Sequence, residues 1–369
     1  MSDNCRIFAE HYNETMKEPK VSLVFPCWHA AQHMPHVLED LQAQTFKEFE
    51  AILVNDGDDS QIEAMEAIAA QDSRIRIVRL EQNSGVAAAR NAGTDTVTTN
   101  WVTYPDPDDR FGPNYVKSLY EAVDGTGVEM ACGGITYYDV DSDNYSYIFL
   151  KIENSPMVLN FATGYELMSH SWIYSIVWNK LYNIDLIRKN GLYHDVNFKN
   201  NQDVDFNLRY FPFVKTVSLI YDCEYVYYWY TDISNYKRYN PLLMQNKLDN
   251  IYRRAQLHRQ LGWTEERINK IKEHEFVSAS LRICKNLYAI DSPLSVDEAT
   301  TKIQAELFDQ PEIVNAVLKY DFGKDRFWQL FQWLVRKGNA RLLAIVFKVL
   351  VVGKRHFNKL YQITKPFFR

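Results

Sequence analysis

At 369 residues, 46% of them hydrophobic, the chain is long enough for roughly two globular units, each able to bury a core. Its five cysteines (Cys5, Cys27, Cys132, Cys223 and Cys284) are odd in number, far apart and without a CxxC pair, which argues against a disulfide framework or zinc ribbon and for reduced thiols in a cytosolic setting. The net charge of −6 hides an asymmetry: residues 326–369 hold ten Lys or Arg and no acid, and the first 325 hold 31 basic against 47 acidic side chains, unlike the layout of a nucleic-acid binder.

In chain order, the opening MSDNCRIFAEHYNETMKEPK is polar and lacks the apolar stretch of a signal peptide, so residues 1–19 are read as an extension. KVSLVFP (20–26) is an apolar run closed by Pro26 and predicts a buried strand. HMPHVLEDLQAQ (33–44) has helical spacing, with Met34, Val37, Leu38 and Leu41 on one face. FEAILVND (49–56) predicts a second strand, followed by a helix near 60–70. RIRIVRL (74–80) predicts a third strand and WVTYP a fourth, with a helix between them from about Val86. Strands alternating with helices at this spacing imply βαβ units and a mostly parallel sheet. Ligands of such sheets sit beyond the carboxyl ends of the strands, where Pro26, Asp56 and Asp106 should converge.

Beyond Asp109 the pattern changes. Residues 128–140, 145–152, 214–220 and 224–230 read as strands, the first two antiparallel. Helices are expected at 163–171 and 184–190, and one opens near Asp203. From about 240 the chain turns helical: 241–261, 264–289, a capping box Ser295-x-x-Glu298, then 312–320 and 326–352. A domain boundary near 240 follows, with units at 20–240 and 241–369. The 24 Tyr, 20 Phe and 8 Trp suit sugar-stacking and interface surfaces as well as plain core packing.

The stretch TYPDPDDRF crowds Asp106, Asp108 and Asp109 at the end of the fourth strand. Like charges this close repel unless something positive lies between them, so the loop is either a solvated acidic turn or a metal site. VSLVFPCWHAAQHMPHVLEDLQAQTFKEFEAILVNDGDDS, NSGVAAARNAG, YPDPDD, WNKLY and NQDVDF occur in the order and spacing of family 2 glycosyltransferases, and residues 20–235 resemble that family. The resemblance implies a GT-A fold, a Rossmann-like α/β domain with a mostly parallel central sheet and a small antiparallel part, followed here by a mainly α-helical region.

It also implies site roles. Asp106 and Asp108 match the DxD motif, whose carboxylates hold one Mn²⁺ or Mg²⁺ that bridges donor phosphates. Asp109 is then a cap for the following turn. Asp56 matches the residue that bonds the base of a nucleotide sugar, a position that equally suits a helix N-cap. Pro26, Asn83 and Arg90 join it as donor-binding residues; Gly85 permits a tight turn there, and a guanidinium suits a diphosphate. This loop is not the dinucleotide GxGxxG, because Gly85 and Gly93 stand too far apart. Asp203 matches the general base of an inverting displacement, with Asp205 as fallback. Gln202 stands where the family carries Glu; it can bond an acceptor but adds no repulsion to Asp203. Trp178 and Lys180 match a segment often near the acceptor, and suit a core Trp and a surface Lys equally. His29 stands where the family has Asn, and His29, His33 and His36 lack the carboxylate or cysteine shell of a zinc site.

The tail has an apolar run, 342–352, broken by Lys348. It is too short for the ~20 residues that cross a bilayer; flanking bases and aromatics suit a surface-lying anchor or a packed terminal helix. The resemblance and the tail together imply a cytoplasmic enzyme, peripheral on the inner face of an anionic plasma membrane. It would transfer sugar from a nucleotide donor, UDP-linked, to a glycan or lipid-linked acceptor of surface polysaccharide. The alternatives are a transferase acting on protein or a teichoic-acid-like polymer, and a catalytically dead nucleotide-sugar-binding protein.

Overall fold

The computed structural model describes residues 18–198, 200–230, 238–289 and 291–356. The chain divides into two compact units, Met1–Ile233 and Ser234–Arg369, against the expected boundary near 240.

The first unit begins with four βα alternations. Strand β1 (Val21–Cys27) leads to helix α1 (Met34–Ala43), β2 (Phe49–Asn55) to α2 (Ile62–Ala69), β3 (Ile75–Arg79) to α3 (Val86–Thr96), and β4 (Trp101–Thr103) to the short β5 (Arg110–Phe111) and α4 (Tyr115–Glu121). Every residue of β1 and β2 is buried, as expected of parallel strands covered on both faces. Helix α1 turns Met34, Val37, Leu38 and Leu41 inward, the face its spacing predicts. Among the described residues the main sheet has the order β3-β2-β1-β4, continued by β10 (Lys180–Asn183), β6 (Met130–Gly133), β11 (Thr216–Ile220) and β9 (Met157–Asn160). Strands β1 to β4 are parallel within it.

The remaining strands of the unit are β6 (Met130–Gly133), β7 (Ile135–Asp139), β8 (Asn144–Ile148), β9 (Met157–Asn160), β10 (Lys180–Asn183), β11 (Thr216–Ile220) and β12 (Tyr225–Trp229). Between them lie α5 (Phe161–Ser169), α6 (Ile184–Lys189) and α7 (Gln202–Tyr210). The single strand expected at 128–140 is two. β6 pairs with β10 and β11 in the main sheet, whereas β7 joins a second sheet of order β5-β12-β7-β8. The chain changes sheets at Gly133–Gly134, where a Cβ on Gly134 would lie 2.0 Å from the Tyr221 carbonyl oxygen.

The second unit is helical in its described residues: α8 (Leu243–Gln260), α9 (Glu265–Asn286), α10 (Val296–Ile303), α11 (Pro311–Lys319), α12 (Arg326–Arg336) and α13 (Ala340–His356). The Ser295–Glu298 capping box forms at the start of α10. The helix expected at 326–352 is interrupted: Gly338 has φ +63°, and α12 ends before it. One face of α13 packs into the core of this unit through Leu343, Ala344 and Phe347. Residues 357–369 of the basic tail, and Cys5 with the 1–17 stretch, lie outside the described residues.

Candidate active site

Parallel pairing of β1 with β2 and β4 brings three strand ends together. Pro26 is buried one residue before the end of β1. Asp56 follows β2, its amide donating to the Cys27 carbonyl at 2.9 Å. Its carboxylate accepts from the backbone N–H groups of Ser84 (2.7 Å) and Gly85 (2.9 Å). Gly57 makes that approach possible: its φ is +69°, and a Cβ there would sit 2.2 Å from the Gln82 carbonyl carbon. Thus Asp56 anchors the exposed loop that carries Asn83 and leads into α3.

The β1 loop is tied to the β2 loop as well. Asp58 accepts from the His29 amide (3.2 Å) and lies 3.0 Å from its Nδ1. Hydrogen bonds from Ser60, then from His29, hold the Asp58 carboxyl below its usual range. His29 has φ +52°, a left-handed conformation in which Asn, Asp and His are the tolerated non-glycine residues. That explains how His replaces the Asn that the family resemblance leads one to expect. Beside it Trp28 is 43% exposed, an aromatic face at the strand end next to Asp56.

The centre of the site is Arg90. Helix α3 lies close on β1, for a Cβ on Gly93 would meet Val24 Cγ1 at 2.3 Å. The Arg90 side chain, only 2% exposed, reaches outward from beneath. One nitrogen, Nη2, donates to Asp106 at 2.8 Å; the other, Nη1, donates to Asp203. Asp106 and Asp203 are 26% and 22% exposed. The guanidinium therefore ties the Asp106–Asp109 loop to the first turn of α7, where the helix N-terminus also favours a carboxylate. Burial, with the neighbouring charges of Asp108 and Asp203 against Arg90, raises the Asp106 carboxyl to about 6. A single arginine does not balance the acids gathered here.

The three aspartates of the loop have different environments. Asp108 is exposed. Asp109 is buried and, rather than capping a turn, accepts from the Tyr225 hydroxyl (2.7 Å) and the Tyr228 amide (2.8 Å). Burial first, then Asp108 and Asp106, keep its carboxyl well above the usual range. Tyr225 also accepts from the Asp106 amide (3.0 Å), so β12 supports the Asp106–Asp109 loop. His36 supports the same loop: its Nε2 lies 3.0 Å from the Pro107 carbonyl, which can only accept, so that nitrogen bears the proton. His33 faces His36, ring centroids 5.3 Å apart. Among the described residues no group of three or more His, Cys, Asp or Glu side chains could by itself hold a metal ion. Asp106 and Asp108 form a two-carboxylate set, which suits a hard cation that takes its remaining ligands from water and phosphate.

Trp178 and Lys180 lie in the core. Trp178 stacks on Tyr225 (4.3 Å) and Tyr227 (5.4 Å). Lys180 is fully buried, and its Nζ donates to the Ile173 and Ile176 carbonyls and to Asn179 Oδ1. Burial pushes the amine down to about 8, while three oxygen acceptors hold the ammonium against that. Gln202 is half-buried beside Asp203, and Asp205 is buried in an ion pair with Arg209 at 2.6 Å. Sequence reasoning missed Tyr225, His36 as a loop support, and Asn207, whose amide holds the Tyr174 (3.1 Å) and Ile176 (3.0 Å) carbonyls to α7. The partners of Tyr225 are more than a hundred positions away in the chain, and a Tyr in a strand-like run gives no local sign of them.

Residues 22–186 match the family model described as Glycosyl transferase family 2. The chain is 27% identical over 214 residues to the glycosyltransferase GlyG of Streptococcus pneumoniae serotype 4, a match spanning 56% of this chain and 70% of GlyG. It is 28% identical over 127 residues to the succinoglycan biosynthesis protein ExoO of Rhizobium meliloti, spanning 34% of this chain and 36% of ExoO. Among solved structures, residues 1–349 of S. aureus TarS superpose with a TM-score of 0.58 at 17% identity, covering 90% of this chain and 92% of that one. TarS structures with UDP and with UDP-GlcNAc superpose at 0.57 and 0.52. At that identity the likeness establishes a shared fold.

Proposed function

Since the chain is a family 2 glycosyltransferase, we propose that it transfers a sugar from a UDP-linked donor to a glycan acceptor hydroxyl in surface-polysaccharide assembly, with inversion. The observation that carries this reading is the Arg90 bridge, which joins Asp106 of the DxD loop to Asp203. Two segments far apart in sequence thereby come together, which supports a donor phosphate on one and an acceptor hydroxyl on the other.

Donor binding falls to the strand ends: the exposed Trp28 face takes the base, Asp56 its edge, and Asn83 and Arg90 the ribose–diphosphate side. The UDP and UDP-GlcNAc complexes of TarS support a uridine nucleotide, and the name of ExoO supports polysaccharide assembly. Asp106 and Asp108 would hold a divalent cation, Mn²⁺ or Mg²⁺, which neutralises the diphosphate as it leaves. The excess of carboxylate over guanidinium around Asp106 supports a cation there. Asp203 accepts the proton of the acceptor hydroxyl as its oxygen bonds to the anomeric carbon and the sugar–diphosphate bond breaks on the opposite face. Gln202 positions the acceptor. Arg90, which donates to Asp203, fixes its direction.

The second unit supports a peripheral position on the cytoplasmic face of an anionic membrane. Exposed Leu330, Trp333, Ile345 and Val349 share α12 and α13 with Arg336, Arg341 and Lys348, the mixture that suits a bilayer surface. Among the described residues no helix is long and apolar enough to cross a membrane.

The test is nucleotide release from a panel of UDP-, GDP- and dTDP-sugars, with Mn²⁺ or with chelator. Metal-dependent release from one UDP-sugar is expected, and Asp203→Asn should lower transfer by about 10²- to 10⁴-fold. Wild-type transfer rates in both Asp203→Asn and Asp108→Asn would overturn the assignment.

A further inference from the structure

The second sheet has two faces, and one of them leads away from the catalytic aspartates. The register Tyr227↔Tyr137 and Trp229↔Asp139 puts Tyr225, Tyr227, Trp229 and Tyr137 on the same side. At its inner end Tyr225 holds Asp109 and the Asp106 amide, and Trp178 covers it in a stack. Outward, the same face becomes open: Tyr137, Tyr227 and Trp229 are half-buried, and Trp172 is 37% exposed. Trp172 meets Tyr137 (6.5 Å), Tyr227 (6.1 Å) and Trp178 (6.2 Å) edge-on, while Tyr137 stacks on Trp229 at 6.4 Å.

Trp172 is also fixed relative to Asp203. The 3-10 turn Trp172–Ser175 is held to α7 by the Asn207 amide, through Tyr174 and Ile176. Asn207 and Asp203 stand four residues apart, on one side of that helix. The open aromatics are thus framed by the base helix on one side and by the DxD loop, through Tyr225, on the other.

We infer that Trp172, Tyr137, Tyr227 and Trp229 form a platform that holds the sugar rings of an uncharged glycan acceptor next to its reacting hydroxyl. The inference rests on the glycosyltransferase reading and specifies the substrate class. Aromatic faces are negative at their centres and bind the C–H faces of pyranose rings, while phenol and indole edges remain for hydroxyls. Charge selects among acceptors. Strands β7, β8 and β12 carry no Lys or Arg, and Asp139, opposite Trp229 in the register, lies on the platform's side. On these strands a polyanionic phosphate chain would meet Asp139 and no Lys or Arg, whereas a neutral chain meets no charge repulsion. The face continues directly from the aspartates, so what lies on it is the acceptor beyond its attacked end.

The experiment is an array of immobilised glycans, neutral oligosaccharides beside phosphate-bearing and uronic-acid chains, probed with the full-length protein, Trp172→Ala and Trp172→Phe. The expected result is retention on neutral chains, a loss of about tenfold or more for Trp172→Ala, and recovery for Trp172→Phe, all with unchanged circular dichroism. Binding confined to anionic chains, binding to no glycan, or equal binding by Trp172→Ala would overturn the platform. Titration of the wild-type protein with UDP separates the two readings: absent UDP binding removes the enzyme assignment itself, whereas UDP binding with a failed array removes only the platform.

Discussion

Replacing Arg90 distinguishes two roles that its position allows. If the guanidinium served only the donor, Arg90→Met would weaken UDP binding and leave the ligand-free protein as stable as before. The ion pairs place it differently: it is a buried cation shared by Asp106 and Asp203. Breaking a buried pair by removing one partner costs about 3–5 kcal/mol, because the other charges are left uncompensated. Both carboxylates are about a quarter exposed, so water recovers part of the loss and the lower end, about 3 kcal/mol, is the better figure. For a unit of this size 1 kcal/mol moves the melting point by roughly 2–4 °C, which sets the expected fall at about 6–12 °C. Arg90→Lys keeps the charge but not the two-way fork, and should fall roughly midway. Differential scanning fluorimetry without nucleotide reads the effect. In a cycle with Asp203→Asn the two losses should be non-additive by about 0.5–3 kcal/mol. A ligand-free melting point within 2 °C of wild type, together with lost UDP affinity, would refute the bridge and restore Arg90 to the donor alone.

Two further substitutions test the surroundings. Lys180→Met orphans the Ile173 and Ile176 carbonyls and Asn179 Oδ1 inside the core; at about 1–3 kcal/mol per unsatisfied buried group, partly relaxed, the melting point should fall by several degrees. An unchanged melting point with a raised acceptor KM would instead make Lys180 an acceptor ligand. Glutamates at Trp333 and Val349, both exposed, should reduce cosedimentation with phosphatidylglycerol vesicles by about tenfold; equal cosedimentation would end the membrane reading.

Strands β1 and β2 were legible because their runs are almost wholly apolar, the signature of strands covered on both faces, and β3 because arginines punctuate the apolar residues of RIRIVRL. Strand β10 was not, because its first residue is a lysine, and a charge in a buried strand is tolerated only when oxygens receive it, here those of Ile173, Ile176 and Asn179 in the preceding turn. The break at Gly133–Gly134 was hidden for a related reason: an apolar run reads the same whether its halves belong to one sheet or two. Gly338 was visible as a residue, and its positive φ with the local bond from its amide to the Val335 carbonyl makes it a helix stop that a continuous apolar pattern on both sides concealed.

The crowding of Asp106, Asp108 and Asp109 illustrates the same limit within the site. Sequence alone presents three equivalent acids and poses the question of a shared counter-ion. The fold makes them inequivalent. Asp109 is turned inward to fasten β12, and burial keeps it from adding a full charge to the loop. Asp106 gives one oxygen to Arg90, a residue 16 positions earlier whose other arm reaches 113 positions onward to Asp203. Asp108 alone faces outward. A cation joining Asp108 and the remaining face of Asp106 would relieve the charge that Arg90 leaves unbalanced. The same cation would compete with Arg90 for Asp106 and leave the guanidinium's other arm on Asp203. Arg90 would then hold Asp203 whether or not a cation engages Asp106, so the two carboxylates share an anchor without depending on one another.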